Sequence, residues 1–249
     1  LGHALFKPAG RGLALTEAGQ TALELAEQIF ALGEQLHTAV GDAASQNRVR
    51  LVVGISDGLP KFAVRDLLGP ALSEPNLRLL CHEDGFEDLL GSLALHRLDV
   101  VLSDRPAPAN PNLRLYSHPL GSSPLGWYAP KAWLAQARRD FPQCLSQVPV
   151  LLPTAQSSVR LRIDQWFERH GVQPRVVGEF EDSALLATFG ASGMGVIPAA
   201  ERLRDDLAQG YGLKWFAPCD GVQEHFYAIG TARKVQHPLV QRLLNASVF

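Results

Sequence analysis

"RVRLVVGISDGLPKFAVRDLLGPALSEPNLRLLCHEDGFEDLLGSLALHRLDVVLSD", residues 48–104, decides the fold. Three short runs rich in β-branched and apolar residues, at 48–56, 76–83 and 98–104, read as strands. Between them, 59–73 and 85–97 carry helical spacing, and Pro60 is acceptable in the first turn of a helix. This strand–helix order implies parallel strands joined by crossover helices.

Downstream, "RPAPANPN" (105–112) separates this unit from two further strand runs, "LRLYSHPLG" and "LGWYA". Proline and glycine mark a crossing near 119–126. A second α/β set follows: a strand at 148–153, a helix at 158–170, a strand at 175–180, a helix at 182–192 and the short run "GVIP". The tail offers strands at 212–216 and 224–232 and a last helix from about Pro238. The fold class is therefore α/β in two units.

Upstream, "TEAGQTALELAEQIFALGEQLHTAV" (16–40) contains no proline, and Thr16 can cap it. Ala18, Ala22, Leu25, Ile29, Leu32, Leu36 and Ala39 recur at spacings of four and three, a heptad seam. A helix over 16–45 would be a rod of roughly 45 Å. Its polar other faces favour a coiled-coil pairing of two chains through Leu25, Ile29, Leu32 and Leu36. "GDAASQNR" (41–48) reads as a linker. Before the helix, "LFKPAGRGLALTEAG" (5–19) places two short apolar pieces around a Gly-rich turn bearing Lys7 and Arg11. A hairpin this small buries no core alone.

The bulk numbers exclude several classes. The chain has 249 residues, 46% of them hydrophobic, and a formal net charge of -2. No whole-chain field draws in nucleic acid or a membrane surface. The three cysteines, Cys81, Cys144 and Cys219, lie far apart with no C-x-x-C pair, which argues for small buried thiols in a reducing cytoplasm. No apolar run reaches the ~18–20 residues of a membrane span, and the first residues lack a signal-peptide layout. There is no G-x-S-x-G, P-loop or H-E-x-x-H motif, and the eight histidines show no metal spacing. "GASGMG" (190–195) follows a helix, where a dinucleotide fingerprint would follow a strand. An enzyme and a cofactor are not expected. The four tryptophans, Trp127, Trp133, Trp166 and Trp215, are expected in the core or between lobes.

Together, three features resemble the LysR-type transcriptional regulators. "LGHALFKPAGRGLALTEAG" resembles the wing and linker start of that family. "DSALLATFGASGMGVIPA" (182–199) resembles its helix, Gly-rich turn and apolar strand ending in Pro. The order of elements from 48 onward also fits, so the resemblance covers the whole chain. "VGISDGLPK" (53–61), "LHRLDVVLSDRP" (95–106), "VGEFEDSALLATFGA" (177–191) and "VQHPLVQRL" (235–243) are similar to a sodium-responsive subgroup that activates a sodium/proton antiporter gene. The resemblance implies a wing remnant at 1–15 and a linker and dimerisation helix at 16–47. It implies a two-lobed effector domain of the periplasmic-binding-protein type, with lobe I at 48–123 and 212–249 and lobe II at 124–211. The DNA-reading helix would lie upstream of Leu1, and Lys7 and Arg11 would contact phosphate, which holds register without reading sequence. The implied partners are DNA through the full-length protein, a second copy or three more, RNA polymerase, and a small effector or monovalent cation, with no membrane.

In open α/β sheets ligands bind beyond the carboxyl ends of the strands. Those ends carry Ser56-Asp57, His82-Glu83-Asp84 and Ser103-Asp104 in the first unit, and Thr154 and Phe180-Glu181-Asp182 in the second. Ser56, Asp57, Glu83, Ser103, Asp104, Thr154 and Phe180 are the expected effector residues. Apart from Lys61 and Arg105 the edge is rich in oxygen, which suits sodium or lithium better than a carboxylate metabolite. The start of the helix after "TAQSS" (154–158) could instead receive an anion. Taken singly, Asp57 and Asp182 read as helix caps, and Asp84 with Glu87 as a capping box. A two-lobed solute-binding protein is the alternative, but it would need a signal peptide and would leave the heptad helix without purpose.

Overall fold

The computed structural model describes residues 2–9, 12–23, 25–26, 29–30, 33, 36, 49–109, 115–232 and 237–245. Arg11, Leu32 and the linker 41–48 lie outside them. Strands β1 (Phe6–Ala9) and β2 (Gly12–Leu15) pair antiparallel as a hairpin. Helix begins at 17, and its start is fastened to the hairpin. The Thr16 hydroxyl accepts from Gly19 N at 3.0 Å and donates to Ala4 O at 2.7 Å, while Thr16 N donates to Leu5 O. The expected cap is therefore present. Gly19 is buried under the hairpin, and a Cβ there would stand 1.9 Å from the Leu5 carbonyl oxygen. Gly19→Ala is thus expected to detach the hairpin while leaving the unfolding midpoint of the α/β body unchanged. Amide exchange at Thr16 would rise; unaltered exchange there would refute the packing. Farther along the helix Leu25, Ile29 and Leu36 are 55%, 68% and 65% exposed in the single chain.

The body has two lobes. Strands β3 (Val49–Ser56), β4 (Leu77–Asp84) and β5 (Val100–Ser103) alternate with helices α1 (Lys61–Leu72) and α2 (Phe86–Ala94). β3 lies between β4 and β5 and is parallel to both, as the sequence order requires. Gly54 sits mid-strand because α2 packs there: a Cβ would come within 2.9 Å of Leu89 and 2.7 Å of Leu98. The second lobe contains α3 (Lys131–Ala137), β7 (Pro149–Pro153), α4 (Arg160–Arg169), β8 (Arg175–Phe180), α5 (Ser183–Ala191), β9 (Ile197–Ala200) and α6 (Arg204–Tyr211). β7 and β8 are parallel. The last helix, α7 (Pro238–Asn245), returns to pack on α1.

The crossings between lobes differ from the sequence expectation. β6 (Leu115–Ala129) and β10 (Lys214–Thr231) each run unbroken where two strands were expected. They pair antiparallel along almost their whole length and carry one curled six-stranded sheet, β4-β3-β5-β10-β6-β9, through both lobes. Pro119 and Pro124 are tolerated because β6 pairs only with β10 there and its other edge is free of β9, which joins at Leu125–Tyr128. Bulges absorb Pro218 and Gly221. Two short helices, α3 and α6, span only seven and eight residues, too short for a helical period to show in the sequence.

Trp127, Trp166, Phe167, Leu145 and Val150 fill the core of the second lobe. Trp133 and Trp215 are half-buried, and each donates its indole N–H, to Gly193 O and to Glu201 Oε1. The largest cluster runs from Leu51, Val100 and Leu239 of the first lobe through α1 to Leu186, Ile197 and Leu207 of the second. Cys144 and Cys219 are buried, but Cys81 is exposed on the edge strand β4, against expectation. No described helix is long and apolar enough to cross a membrane.

Candidate functional site

β3 ends in Ser56, and the turn 57–60 delivers the chain to α1, with Leu59 N donating to Ser56 O. β5 ends in Ser103, followed by Asp104 and Arg105. Facing them, β7 ends at Pro153 and the segment 154–159 leads into α4, while β8 ends at Phe180 and Asp182 starts α5. Two adjoining chambers lie between these ends, sharing Gly58, Ser157 and Glu181 in their walls. The polar chamber, about 270 Å³, is lined by Ser56, Asp57, Asp104, Arg105, Gln156 and Ser157, with Glu87, Asp88 and Glu181. The apolar chamber, about 130 Å³, is lined by Pro60, Phe62, Phe180, Leu186, Ile197 and Tyr211, and by one buried carboxyl, Glu224.

Hydrogen bonds and ion pairs tie the lobes across these chambers. Asp104 Oδ2 accepts from Ser158 N at 3.0 Å, and the Ser158 hydroxyl donates to Asp104 O at 3.2 Å. Arg105 donates to Gln156 O at 3.0 Å and stacks over Phe86. Ser183 Oγ donates to Leu59 O at 3.1 Å. Lys61 pairs with Asp182 of the other lobe at 2.9 Å and with Glu83 at 2.6 Å. Arg65 reaches Asp206 at 3.1 Å.

The electrostatics follow from these partners. Burial alone would lower the Lys61 ammonium, but its hydrogen bonds to Glu83 and Asp182 outweigh burial and raise it. Burial would raise the Asp182 carboxyl; Lys61 and the Leu185 N–H instead hold it below the usual range. Partial burial, aided by neighbouring carboxylates that outnumber Lys61, raises Asp57. Burial, with the charge of Asp104 nearby, pushes Glu224 up to about 8.

Of the expected effector residues, Ser56, Asp57 and Asp104 line the polar chamber and Phe180 the apolar one. Three do not line either. Ser103 is fully buried and accepts from Arg105 N at 3.2 Å. Thr154 turns its hydroxyl into a buried spot with no hydrogen-bond partner among the described residues. Glu83 is held outside by Lys61. The capping expectations divide as well. Asp182 does cap α5, accepting from Leu185 N at 2.6 Å. Asp57 does not cap α1, whose preceding residue is Pro60 without a side-chain cap. Asp84 accepts from Gly85 N, and Gly85 takes the cap position of α2. The segment 154–158 is not an open anion site, because Asp104 already holds Ser158 N. Glu224 is not among the expected residues, because it lies within β10 and not at the carboxyl end of a parallel strand. Its signal was parity: Val222, Glu224, Phe226 and Ala228 occupy the buried face of β10.

Lys7 is exposed on β1. Among the described residues no group of three or more His, Cys, Asp or Glu could hold a metal ion.

The family model for the LysR substrate binding domain matches residues 44–248. The transcriptional activator protein NhaR of Escherichia coli (strain K12) is 30% identical over 242 residues, covering 97% of this chain and 79% of that protein. The nitrogen assimilation regulatory protein nac of the same organism is 27% identical over 199 residues, covering 75% of this chain and 60% of its own. Among solved structures, the LysR family transcriptional regulator CbnR is 18% identical with a TM-score of 0.60, covering 100% of this chain and 85% of that one. The cofactor-binding domain of the Cbl transcriptional regulator is 17% identical with a TM-score of 0.63, covering 82% of this chain and 91% of that one.

Proposed function

The chain belongs to the LysR family of transcriptional regulators, and from that premise we propose that it is an activator whose two lobes close on a small effector at the chambers between them. The family is one of regulators and not of enzymes. The observation that carries the effector reading is the Asp104–Ser158 bridge: it spans the cleft beside a polar chamber and so couples occupancy of the chamber to lobe placement. In the proposed mechanism the exposed seam of Leu25, Ile29 and Leu36, with Leu32, joins two chains, alone or within a tetramer. Lobe closure then alters the placement of the DNA-binding domains, whose wing would be the β1–β2 hairpin with Lys7 and Arg11 at phosphate, and thereby contact with RNA polymerase in the cytoplasm. An effector moves that equilibrium only by its difference in affinity between open and closed forms.

Asp104→Ala removes a charge-assisted bond of about 1.5–3 kcal/mol, enough to shift a two-state lobe equilibrium roughly tenfold or more. The expected result is altered transcription from a reporter by the full-length protein, with Asp104→Ala and Ser56→Ala both still folded. An unchanged output in both would sink this placement of the sensor.

A sodium or lithium response, the second reading, takes support only from the negative sign of the polar chamber, where Asp57, Glu87, Asp88, Asp104 and Glu181 stand against Arg105; among the described residues no three of these carboxyls are grouped so as to hold a metal ion. It draws less from Glu83 and Asp182, which Lys61 engages. A rise in melting midpoint in sodium or lithium chloride, absent in potassium and choline chloride at one ionic strength, would support it.

A further inference from the structure

Resting on the reading of the cleft as the sensor, we infer that its effector is a small organic cation: an apolar body of about one ring in the chamber beside Phe62 and Tyr211, and an ammonium group paired with Glu224.

Four observations carry this. First, Glu224 is only 6% exposed, lines the apolar chamber, and receives no hydrogen bond from the described residues. A buried carboxyl without a partner is costly, and native structures keep one where something else supplies the partner. Second, the cations beside the chambers are already engaged: Lys61 by Glu83 and Asp182, Arg105 by Asp104, Gln156 O and the face of Phe86. An anionic effector would find no uncommitted positive charge there. Third, two of the four helix starts at the cleft, those of α4 and α5, are occupied by the protein's own carboxylates, Asp104 on Ser158 N and Asp182 on Leu185 N, while α1 and α2 begin without a side-chain cap. Fourth, the adjoining polar chamber repeats the sign: Asp57, Glu87, Asp88 and Glu181 line it, and its one Arg or Lys, Arg105, is paired with Asp104. A chamber of about 130 Å³ walled by Phe62, Leu186, Ile197 and Pro198 accepts a ring-sized apolar group.

The charge of Glu224 is tied to that of its guest. Burial and Asp104 keep it protonated at neutral pH in the empty site. An ammonium placed beside it favours the carboxylate, so binding releases a proton. The groups facing the same chamber are Lys61, Glu181 and Tyr211, with Asp104 acting from the adjoining one.

The test uses the whole chain and three probes of one shape: 2-phenylethylamine, 2-phenylethanol and 3-phenylpropanoate. Titration calorimetry at pH 7 in two buffers of different ionisation enthalpy reads affinity and proton release together. The expected result is binding of the amine with proton release, at least tenfold weaker in Glu224→Gln, and abolished in Ala184→Phe, which fills the chamber. Equal or tighter binding of the alcohol or the carboxylate, blocked by Ala184→Phe and indifferent to Glu224→Gln, would overturn the cation inference while supporting the cleft as sensor. Failure of the amine to bind the unsubstituted chain would also overturn it, and the reporter experiment with Asp104→Ala would still judge the cleft separately.

Discussion

Glu224→Gln is expected to melt roughly 5–10 °C above the unsubstituted protein at pH 7 and to converge on it as pH falls toward 4.5. The unfolded chain releases this proton near the ordinary value of 4.5, whereas the folded chain holds it to about 8. Between those values the folded form binds more protons than the unfolded one. Stability therefore falls as pH rises through that window and levels off above it. At about 1.36 kcal/mol per pH unit the loss at pH 7 is on the order of 3 kcal/mol. Glutamine matches the shape of the protonated side chain and has no proton to lose, so the variant escapes the penalty. Thermal melts of both proteins from pH 5 to 9 measure it. Parallel pH profiles would show that Glu224 is solvated in solution and that the chamber is not as described.

Trp127→Ala is expected to remove about 3–5 kcal/mol, the ordinary cost of deleting a large core aromatic. Trp127 is fully buried on β6, with ring centroids 5.7 Å from Trp166 and 5.6 Å from Phe167. The damage lies in the second lobe, yet β6 and β10 run through both lobes. The melt should move as one transition, with intrinsic fluorescence and far-ultraviolet circular dichroism coincident. Two separated transitions would mean that the shared strands do not couple the lobes.

The legible parts of the fold were those that local pattern determines. β3, β4 and β8 fall within a residue of their expected limits, because branched apolar runs end at Asp, Glu or Phe-Glu-Asp turns. The crossover strands were not legible. Pro119, Gly121, Pro124 and Pro218 look like breaks in any local reading, and only the free edge of β6 and the bulges along β10 make them tolerable. α3 and α6 are not legible because seven or eight residues make barely two turns and show no periodicity.

The candidate site divides the same way. Ser56, Asp57 and Asp104 could be named because a parallel sheet exposes its carboxyl ends, whatever lies opposite. Ser103, Thr154 and Glu83 met the same rule and do not line the chambers, since the direction of a side chain at a strand end depends on the turn that follows. Lys61 and Asp182 are 121 positions apart in sequence, and no local rule pairs them, yet their ion pair spans the cleft.

By itself, then, the sequence determined the α/β class, the parallel order of the first three strands, the capped helix at Thr16 and the polar strand ends, because hydrophobic period and capping chemistry are local. Only the tertiary structure decided that two strands run through both lobes, that Lys61 and Arg105 at the edge pair with its own carboxylates, and that Glu224 is buried in the wall of a mostly apolar chamber. Those depend on which surfaces meet when one lobe packs on the other, and burial and charge pairing are properties of that meeting.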